Sequence, residues 1–311
     1  MLDNFMDTVR TRTQQAIATG DLQPIVAEQA DLQDQGLPFV VRWVAALAAK
    51  DAVKQPEDAA ENASGPAGTI LPGGPRDPNF NPFLRPDPAL TVGPIGAHHV
   101  AILNKFPVCL HHLVLARRDF AEQLSPLELI DFIALAQVLS QYGGLGFYNG
   151  GAAAGASQRH KHVQWIPAAP GNASLKALVR GLPAVSEQGA VLHHPLLASV
   201  AHCFIRVDAG PGAAPQASAA SMQTAYAQAC AVLGLRPDAQ GLLPPFNLLI
   251  SDGWMLAVPR SQEHFQGVSL NALSFGGTLY VRDPAQMDAI REAGPLNVLA
   301  SVGMAPGNAY C

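Results

Sequence analysis

Asn149-Gly150-Gly151-Ala152-Ala153-Ala154-Gly155-Ala156-Ser157-Gln158-Arg159-His160-Lys161-His162-Val163-Gln164-Trp165-Ile166 is the stretch whose reading decides the fold. A run of very small residues leads straight into a short alternating segment. In a strand, side chains two apart share a face. His160, His162 and Gln164 would then point one way, and Lys161, Val163 and Trp165 the other. Three polar groups on one strand face, beside a loop without bulk, describe a built site.

Working outward, Leu145-Gly146-Phe147-Tyr148 follows Gly143-Gly144 and reads as the strand that delivers the chain into this loop. Before it, Leu129, Ile130, Phe132, Ile133, Ala136, Val138 and Leu139 recur at helical spacing. Ser125 is the expected N-cap, Pro126 the first helical residue, and Glu128 the partner in a capping box. Residues 98–103 and 111–116 are strand-like, and Asn104-Lys105-Phe106-Pro107 breaks the pattern between them, which predicts antiparallel neighbours. Upstream, residues 1–19 carry Leu2, Phe5, Met6, Val9 and Ile17 at roughly helical spacing. Residues 22–32 read as a second, weaker helix, and Phe39-Val40-Val41-Arg42-Trp43-Val44 as a strand. Residues 51–88 are interrupted repeatedly by proline and read as a loop, anchored by Phe80 and Phe83.

Downstream of Pro167, Cys203-Phe204-Ile205-Arg206-Val207 reads as a strand, 209–220 as a connection rich in small residues, and 221–235 as a helix. Phe246-Asn247-Leu248-Leu249-Ile250-Ser251 and Trp254-Met255-Leu256-Ala257-Val258-Pro259 flank Asp252-Gly253, a two-residue hairpin signal. Residues 284–292 read as a closing helix. Strands come in adjacent pairs rather than alternating with helices, so an α+β architecture is expected.

Composition narrows the function classes. Of 311 residues 49% are apolar and only 14% charged, which is globular rather than disordered. The 24 acidic side chains outnumber the 19 basic ones, for a net charge of −5, which argues against broad nucleic-acid binding. Cys109, Cys203, Cys230 and Cys311 show no paired spacing. That argues against a disulfide framework or a four-cysteine zinc site and fits a reducing cytoplasm. No uncharged apolar run approaches a membrane span, and Asp3 and Asp7 do not suit a signal peptide. A soluble cytoplasmic protein is expected.

Two histidines at this spacing could be metal ligands, a nucleophile with its neighbour, or an ordinary surface pair. No local carboxylate or cysteine offers a third metal ligand. Gly150, Gly151 and Gly155, among the small alanines, would let backbone N–H groups approach a polyphosphate, and Ser157 and Gln158 would add side-chain donors. The pattern lacks the glycine and lysine spacing of the dinucleotide fingerprint and of the P-loop, and it leads into a strand. The pairs His98/His99, His111/His112 and His193/His194 read as strand-end polar residues. Trp43, Trp165 and Trp254 read as packing.

Ser157-Gln158-Arg159-His160-Lys161-His162-Val163-Gln164 resembles the H-x-H-x-Q signature of the diadenosine tetraphosphate phosphorylases, also called ATP adenylyltransferases, the transferase branch of the histidine triad superfamily. The resemblance extends to Asn81-Pro82-Phe83, Leu103-Asn104-Lys105-Phe106-Pro107-Val108, His112-Leu113-Val114-Leu115 with Phe120, and Asn149. It continues through Asn247-Leu248-Leu249, Trp254-Met255, Val258-Pro259-Arg260 and Asn271-Ala272-Leu273. It implies a histidine-triad-like fold, an antiparallel sheet with flanking helices, related to galactose-1-phosphate uridylyltransferase. An N-terminal region, 1–185, would carry the motif, and a C-terminal region, 186–311, would complete the nucleotide site within one compact unit.

Carried over position by position, His162 resembles the nucleophile that takes the adenylyl group, with His160 in the same catalytic motif. Gln164 resembles the amide that binds the transferred phosphate. Gly155-Ala156-Ser157-Gln158 corresponds to the phosphate-binding turn, with Asn149 on its approach. Lys50, Asn81, Asn247 and Arg260 stand where further substrate contacts are expected. Ala156 departs from the serine of many relatives, and Lys161 from the proline usual in the uridylyltransferases.

The implied reaction is phosphorolysis of diadenosine tetraphosphate to ATP and ADP through an adenylyl-His162 intermediate. The partners are then small molecules: a dinucleoside polyphosphate, phosphate, ATP and ADP. No tightly bound cofactor and no protein-held metal is expected, although Mg²⁺ could accompany the polyphosphate. The alternatives are a hexose-1-phosphate uridylyltransferase-like enzyme and a non-catalytic nucleotide- or metal-binding protein. The chemistry requires His162 to be neutral, with its other ring nitrogen donating to a carbonyl. Gln164 cannot transfer a proton, which suits leaving groups that are phosphates. The Gln164→His variant is therefore expected to gain hydrolysis at the expense of phosphorolysis. An unchanged partition of product between water and phosphate would refute that role.

Overall fold

The computed structural model describes residues 4–23, 28–43, 81–167, 173–184 and 187–307; Lys50, Phe80 and residues 51–75 lie outside them. The strands are β1 (Glu28–Asp34), β2 (Leu37–Trp43), β3 (Thr91–Ile95), β4 (His99–Leu103), β5 (Leu113–Arg117), β6 (Leu145–Gly150) and β7 (His162–Ile166). They continue with β8 (Val191–Leu192), β9 (Cys203–Arg206), β10 (Phe246–Ser251), β11 (Trp254–Pro259), β12 (His264–Phe265), β13 (Val268–Ser269) and β14 (Thr278–Val281). The helices are α1 (Phe5–Thr19), α2 (Leu129–Tyr142), α3 (Ala173–Gly181), α4 (Pro215–Val232), α5 (Ala272–Phe275), α6 (Pro284–Ala293) and α7 (Pro295–Val302).

Nine strands form one sheet in the order β3-β4-β5-β7-β6-β10-β11-β9-β8, and every neighbouring pair is antiparallel. The sheet draws β6 and β7 from the chain before residue 186 and β10 and β11 from the chain after it; the β6–β10 ladder joins the two. Ser251 pairs directly with Trp254, and Asp252 and Gly253 have φ of 51° and 75°. That is the turn geometry whose twist matches a hairpin. Among the described residues no helix is long and apolar enough to cross a membrane.

Alternation divides the sheet's side chains between two cores. Val163, Trp165, Tyr148, Leu248 and Ile250 pack with α1, α2 and α4 on one face. Phe147, Ile166, Leu249 and Leu256 face the other way, toward β2, β14 and helices α3, α6 and α7. On that second side β1-β2-β14 makes a small sheet, with β14 parallel to β2.

β3, α3, β14 and α7 form where the sequence names no element, so 284–292 is not the closing helix, and three expected elements take another form. The segment 22–32, expected as a weak helix, enters β1 at Glu28, and β1 pairs with β2 from Glu28↔Trp43 to Asp34↔Leu37. Pairing with an already apolar strand outweighs a weak local preference. α4 begins at Pro215, six residues before the expected start, because proline is tolerated in a first helical turn as well as in loops. α2 begins at Leu129, and its cap is Glu128 rather than Ser125; the Glu128 N–H donates to Asp131 in a reciprocal capping box. The carbonyls of Ser125 and Pro126 accept instead from the buried Lys161 ammonium, which holds them outside the helix.

Asp131, fully buried, ties this helix start to the sheet. It accepts from Arg117 Nε and Nη2 at 2.8 and 2.6 Å and from His99 Nε2 at 3.0 Å. Burial alone would raise its pKa. The hydrogen bonds from Arg117 and His99 overcome that and hold the carboxyl well below the usual carboxylate range. A folded-state pKa below the unfolded one means that the stabilisation is present above pH about 4 and is lost as the pH falls further. Asp131→Asn is expected to cost about 3 kcal/mol in denaturant unfolding at pH 7 and to flatten the acid side of the stability profile. A loss under about 0.5 kcal/mol would show that the cluster does not hold the fold.

Candidate active site

β7 is flanked by β5 and β6, so its backbone is paired on both edges, and every side chain from His162 to Ile166 is buried. His162 and Gln164 lie on the face away from Val163 and Trp165, as a strand requires. The Nδ1 of His162 lies 2.8 Å from the carbonyl of His160. A carbonyl only accepts, so the proton sits on Nδ1 and Nε2 carries a lone pair. Burial pushes the His162 pKa down to about 4, against the smaller upward pull of that hydrogen bond. The ring is therefore neutral at pH 7.

Gln123 fixes the backbone beneath this ring. Its Oε1 accepts from the His162 N–H at 2.8 Å, and its Nε2 donates to the carbonyls of His162 and Asn149 at 3.1 and 2.9 Å. No spacing rule points to a glutamine 39 residues away. Phe83 packs its ring 5.0 Å from His162 and 5.9 Å from His160, and Phe120 lies 5.6 Å from His160. The anchoring role expected for Phe83 thus falls on the motif itself. His160 donates from Nε2 to the carbonyl of Arg117 at 2.8 Å. Its side chain supports the site while its carbonyl sets the tautomer of His162. Gln164 accepts at Oε1 from His112 Nε2, 2.9 Å away. His112, a strand-end polar residue by its sequence pattern, is thus a member of the site. The signal that could have found it is its alternation with Val114, whose cross-strand partner is Gln164.

The small-residue loop is built differently from the sequence expectation. Ala152–Ala154 form a short 3₁₀ turn, and the N–H groups of Ala154, Gly155 and Ala156 bond to carbonyls inside the loop. The N–H groups of Ser157 and Gln158 have no partner among the described residues. At Gly155, φ 86°, a Cβ would lie 2.7 Å from the Asn271 Cβ and 2.9 Å from the Leu270 carbonyl oxygen. At Gly151, φ 84°, it would lie 2.7 Å from Leu124. Glycine is required at both because the loop presses onto its own protein.

Asn149 and Asn247 are cross-strand partners on β6 and β10, and both are buried. Asn149 Oδ1 accepts from Asn247 Nδ2 at 3.0 Å and from the Ala272 N–H at 2.9 Å, and Asn247 Nδ2 also reaches the Ala154 carbonyl at 2.9 Å. Arg260 donates to Asn247 Oδ1 and to the carbonyls of Val302, Gln262 and Leu270. These three residues, expected from the sequence as substrate contacts, form a buried column behind the loop, because the β6–β10 register brings their polar groups together inside the protein. Asn81 Oδ1 caps its own turn through the N–H groups of Phe83 and Leu84 and lies 3.1 Å from His160 Nδ1. Ser157 is exposed, Gln158 half-buried and Ala156 buried. Lys50 falls outside the described residues. Among the described residues no three His, Cys, Asp or Glu side chains converge so as to hold a metal ion.

Comparison with known proteins bears on the family and the fold. Residues 2–179 match the Ap4A phosphorylase N-terminal domain, and residues 198–305 match the ATP adenylyltransferase C-terminal domain. A stretch of 98 residues is 35% identical to diadenosine 5',5'''-P1,P4-tetraphosphate phosphorylase 2 of Saccharomyces cerevisiae, covering 27% of this chain and 30% of that protein. Protein APA1 of the same yeast is 34% identical over 96 residues with the same coverage, so the alignments span under a third of either relative's length. The solved structure of yeast Ap4A phosphorylase Apa2 superposes with a TM-score of 0.72 at 22% identity, covering 97% of this chain and 95% of that one. Its complex with Ap4A gives 0.72 at 21%, covering 97% and 98%. These structures establish the α+β fold with its large antiparallel sheet. With the first domain model matching more than half of its length, the chain belongs to the Ap4A phosphorylase and ATP adenylyltransferase family.

Proposed function

We propose that the chain is an adenylyltransferase that phosphorolyses diadenosine tetraphosphate to ATP and ADP, with His162 as nucleophile. The observation that carries this reading is the buried neutral imidazole, its Nδ1 proton committed to the His160 carbonyl and its Nε2 lone pair left for chemistry. Family membership supports it, as do the crystal structures of the yeast relative in complex with AMP and with Ap4A.

In the first step the Nε2 lone pair attacks the adenylyl phosphorus. The N–P bond forms, the bond to the bridging oxygen breaks, and ATP departs with that electron pair. The ring becomes cationic, and its Nδ1–H bond to the His160 carbonyl strengthens as it does so. In the second step an oxygen of inorganic phosphate attacks the same phosphorus, the N–P bond breaks, and ADP leaves as His162 regains its lone pair. Both leaving groups are stable without a new proton, so an amide at position 164 suffices. The Gln164 amide nitrogen and the N–H groups of Ser157 and Gln158 would donate to the non-bridging oxygens, where charge grows in the transition state.

Asn149, Asn247 and Arg260 hold the loop from behind. Asn81 and Lys50 are proposed as further polyphosphate contacts on the family resemblance alone. A divalent cation would ride on the polyphosphate oxygens, and no step above runs through it. The unpaired thiols Cys109, Cys203 and Cys230 suit a reducing, cytoplasmic setting.

Incubation with diadenosine tetraphosphate and phosphate is expected to yield equal amounts of ATP and ADP, with a strict need for phosphate. Binding without turnover, or turnover only of a nucleotide sugar, would reject the reading. His162→Ala is expected to lower kcat on the order of 10⁴-fold or more and to abolish the adenylyl-enzyme that accumulates when phosphate is withheld. With its folded pKa at about 4 rather than 6.5, His162 keeps its lone pair as the pH falls. The rate of ATP release without phosphate should hold from pH 7 to about 5 and fall only near about 4. An acid limb at the ordinary histidine value would show that the nucleophile is not shielded as described.

A further inference from the structure

The hydrogen bonds around Gln164 have a direction, and it can be read from one end to the other. The chain begins at the Phe106 backbone N–H, 3.1 Å from Asn104 Oδ1. A backbone N–H only donates, so the oxygen of the Asn104 amide is settled and its nitrogen faces the other way. That nitrogen lies 3.3 Å from His112 Nδ1, and the Val108 N–H approaches the same ring nitrogen at 3.4 Å. Two donors converge on Nδ1, so it carries the lone pair and His112 holds its proton on Nε2. Nε2 is 2.9 Å from Gln164 Oε1. The Gln164 oxygen is therefore occupied as an acceptor, and its NH₂ group has no partner among the described residues.

The loop bearing this relay is held at several points. Asn104 N–H donates to the His112 carbonyl at 3.0 Å, the Gln23 N–H to the Lys105 carbonyl at 2.9 Å, and Arg42 Nη1 to the Val108 carbonyl at 2.8 Å. His112 itself is buried, so no water competes for Nε2.

We propose that His112, set by Asn104, is a positioning residue that holds the Gln164 amide with its nitrogen rather than its oxygen toward the phosphate being transferred. The inference rests on the adenylyl transfer proposed at His162. A primary amide is nearly symmetric in shape, and the two orientations differ only in which end meets the ligand. The nitrogen donates to a non-bridging oxygen, whereas the oxygen would repel it. An amide free to rotate would spend part of its time in the wrong orientation and would have to be sorted during each turnover. The relay makes that choice before substrate arrives, which is the condition for electrostatic preorganisation. His112 and His162 thereby use opposite tautomers: His162 with the proton on Nδ1, His112 with it on Nε2.

Two measurements test this. Nitrogen NMR of the ¹⁵N-histidine-labelled protein without substrate should place the His112 proton on Nε2 and the His162 proton on Nδ1. A His112 proton on Nδ1 would overturn the relay whatever the enzyme's activity. Kinetically, His112→Phe should lower kcat about 10- to 100-fold, while in a Gln164→Ala background the same change should leave kcat within about 2-fold. His112→Gln, which keeps a donor toward Oε1, should restore most of the loss and remains informative if the phenylalanine variant does not fold. Equal losses in both backgrounds, with a normal melting temperature, would make His112 a packing residue and refute the proposal. Absence of phosphorolysis in the unmodified protein would instead remove the adenylyltransferase reading, leaving the tautomer measurement to decide the relay.

Discussion

The site depends on one hydrogen bond, from His162 Nδ1 to the carbonyl of His160 two residues behind it. An imidazole in water exchanges its proton between two nitrogens and is partly protonated near neutral pH. Here burial removes the charged form, and the carbonyl removes the wrong tautomer. Because the carbonyl lies on the approach to the strand that carries His162, the correct state of the ring is coupled to the conformation of the chain entering β7. The surrounding structure can be understood as protecting that short piece of backbone. The end of β5 runs beside it, the Arg117 N–H donating to the Lys161 carbonyl; Gln123 bridges it from the side, and the Lys161 ammonium pins the residue between the two histidines to the approach of α2.

Strand alternation then separates the duties of neighbouring residues. One face of β7 sends Val163 and Trp165 into the core under α1, α2 and α4. The other face carries His162 and Gln164, with Phe147 opposite Gln164 and the Asn149–Asn247 pair farther along the same sheet. Polar groups buried so near the middle of a sheet would be costly if left unpaired. Asn149 and Asn247 are instead joined into a column that ends on Arg260, and this column supports the small-residue loop. The positions of the loop and of His162 are therefore set by one continuous piece of sheet.

Much of this was legible from sequence. The alternation from His162 onward, the hairpin at Asp252-Gly253, the apolar face of the helix before Gly143 and the helix read at 284–292 are patterns that a few consecutive residues carry by themselves. The reading of His162 as neutral with one nitrogen on a carbonyl followed from the chemistry a nucleophilic imidazole needs. The reasons attached to individual residues were less legible. The glycines of the loop read as room for a ligand and prove to be room for Asn271, Leu270 and Leu124. Asn247 and Arg260 read as substrate contacts and are engaged within the protein.

Sequence alone determined which residues share a strand face, where the chain must turn, and which side chains have the chemistry to act on a phosphate. Periodicity and residue type are local properties, and they survive without knowledge of partners. Only the tertiary structure decided what each polar group is bonded to. His162 meets Gln123 across 39 residues, Gln164 meets His112 across 52, and Asn149 meets the start of α5 across 123. Such pairings are set by sheet register and loop closure over long stretches of chain. They also decide the direction of every hydrogen bond in the site, hence which end of an amide and which nitrogen of a ring is available to a substrate.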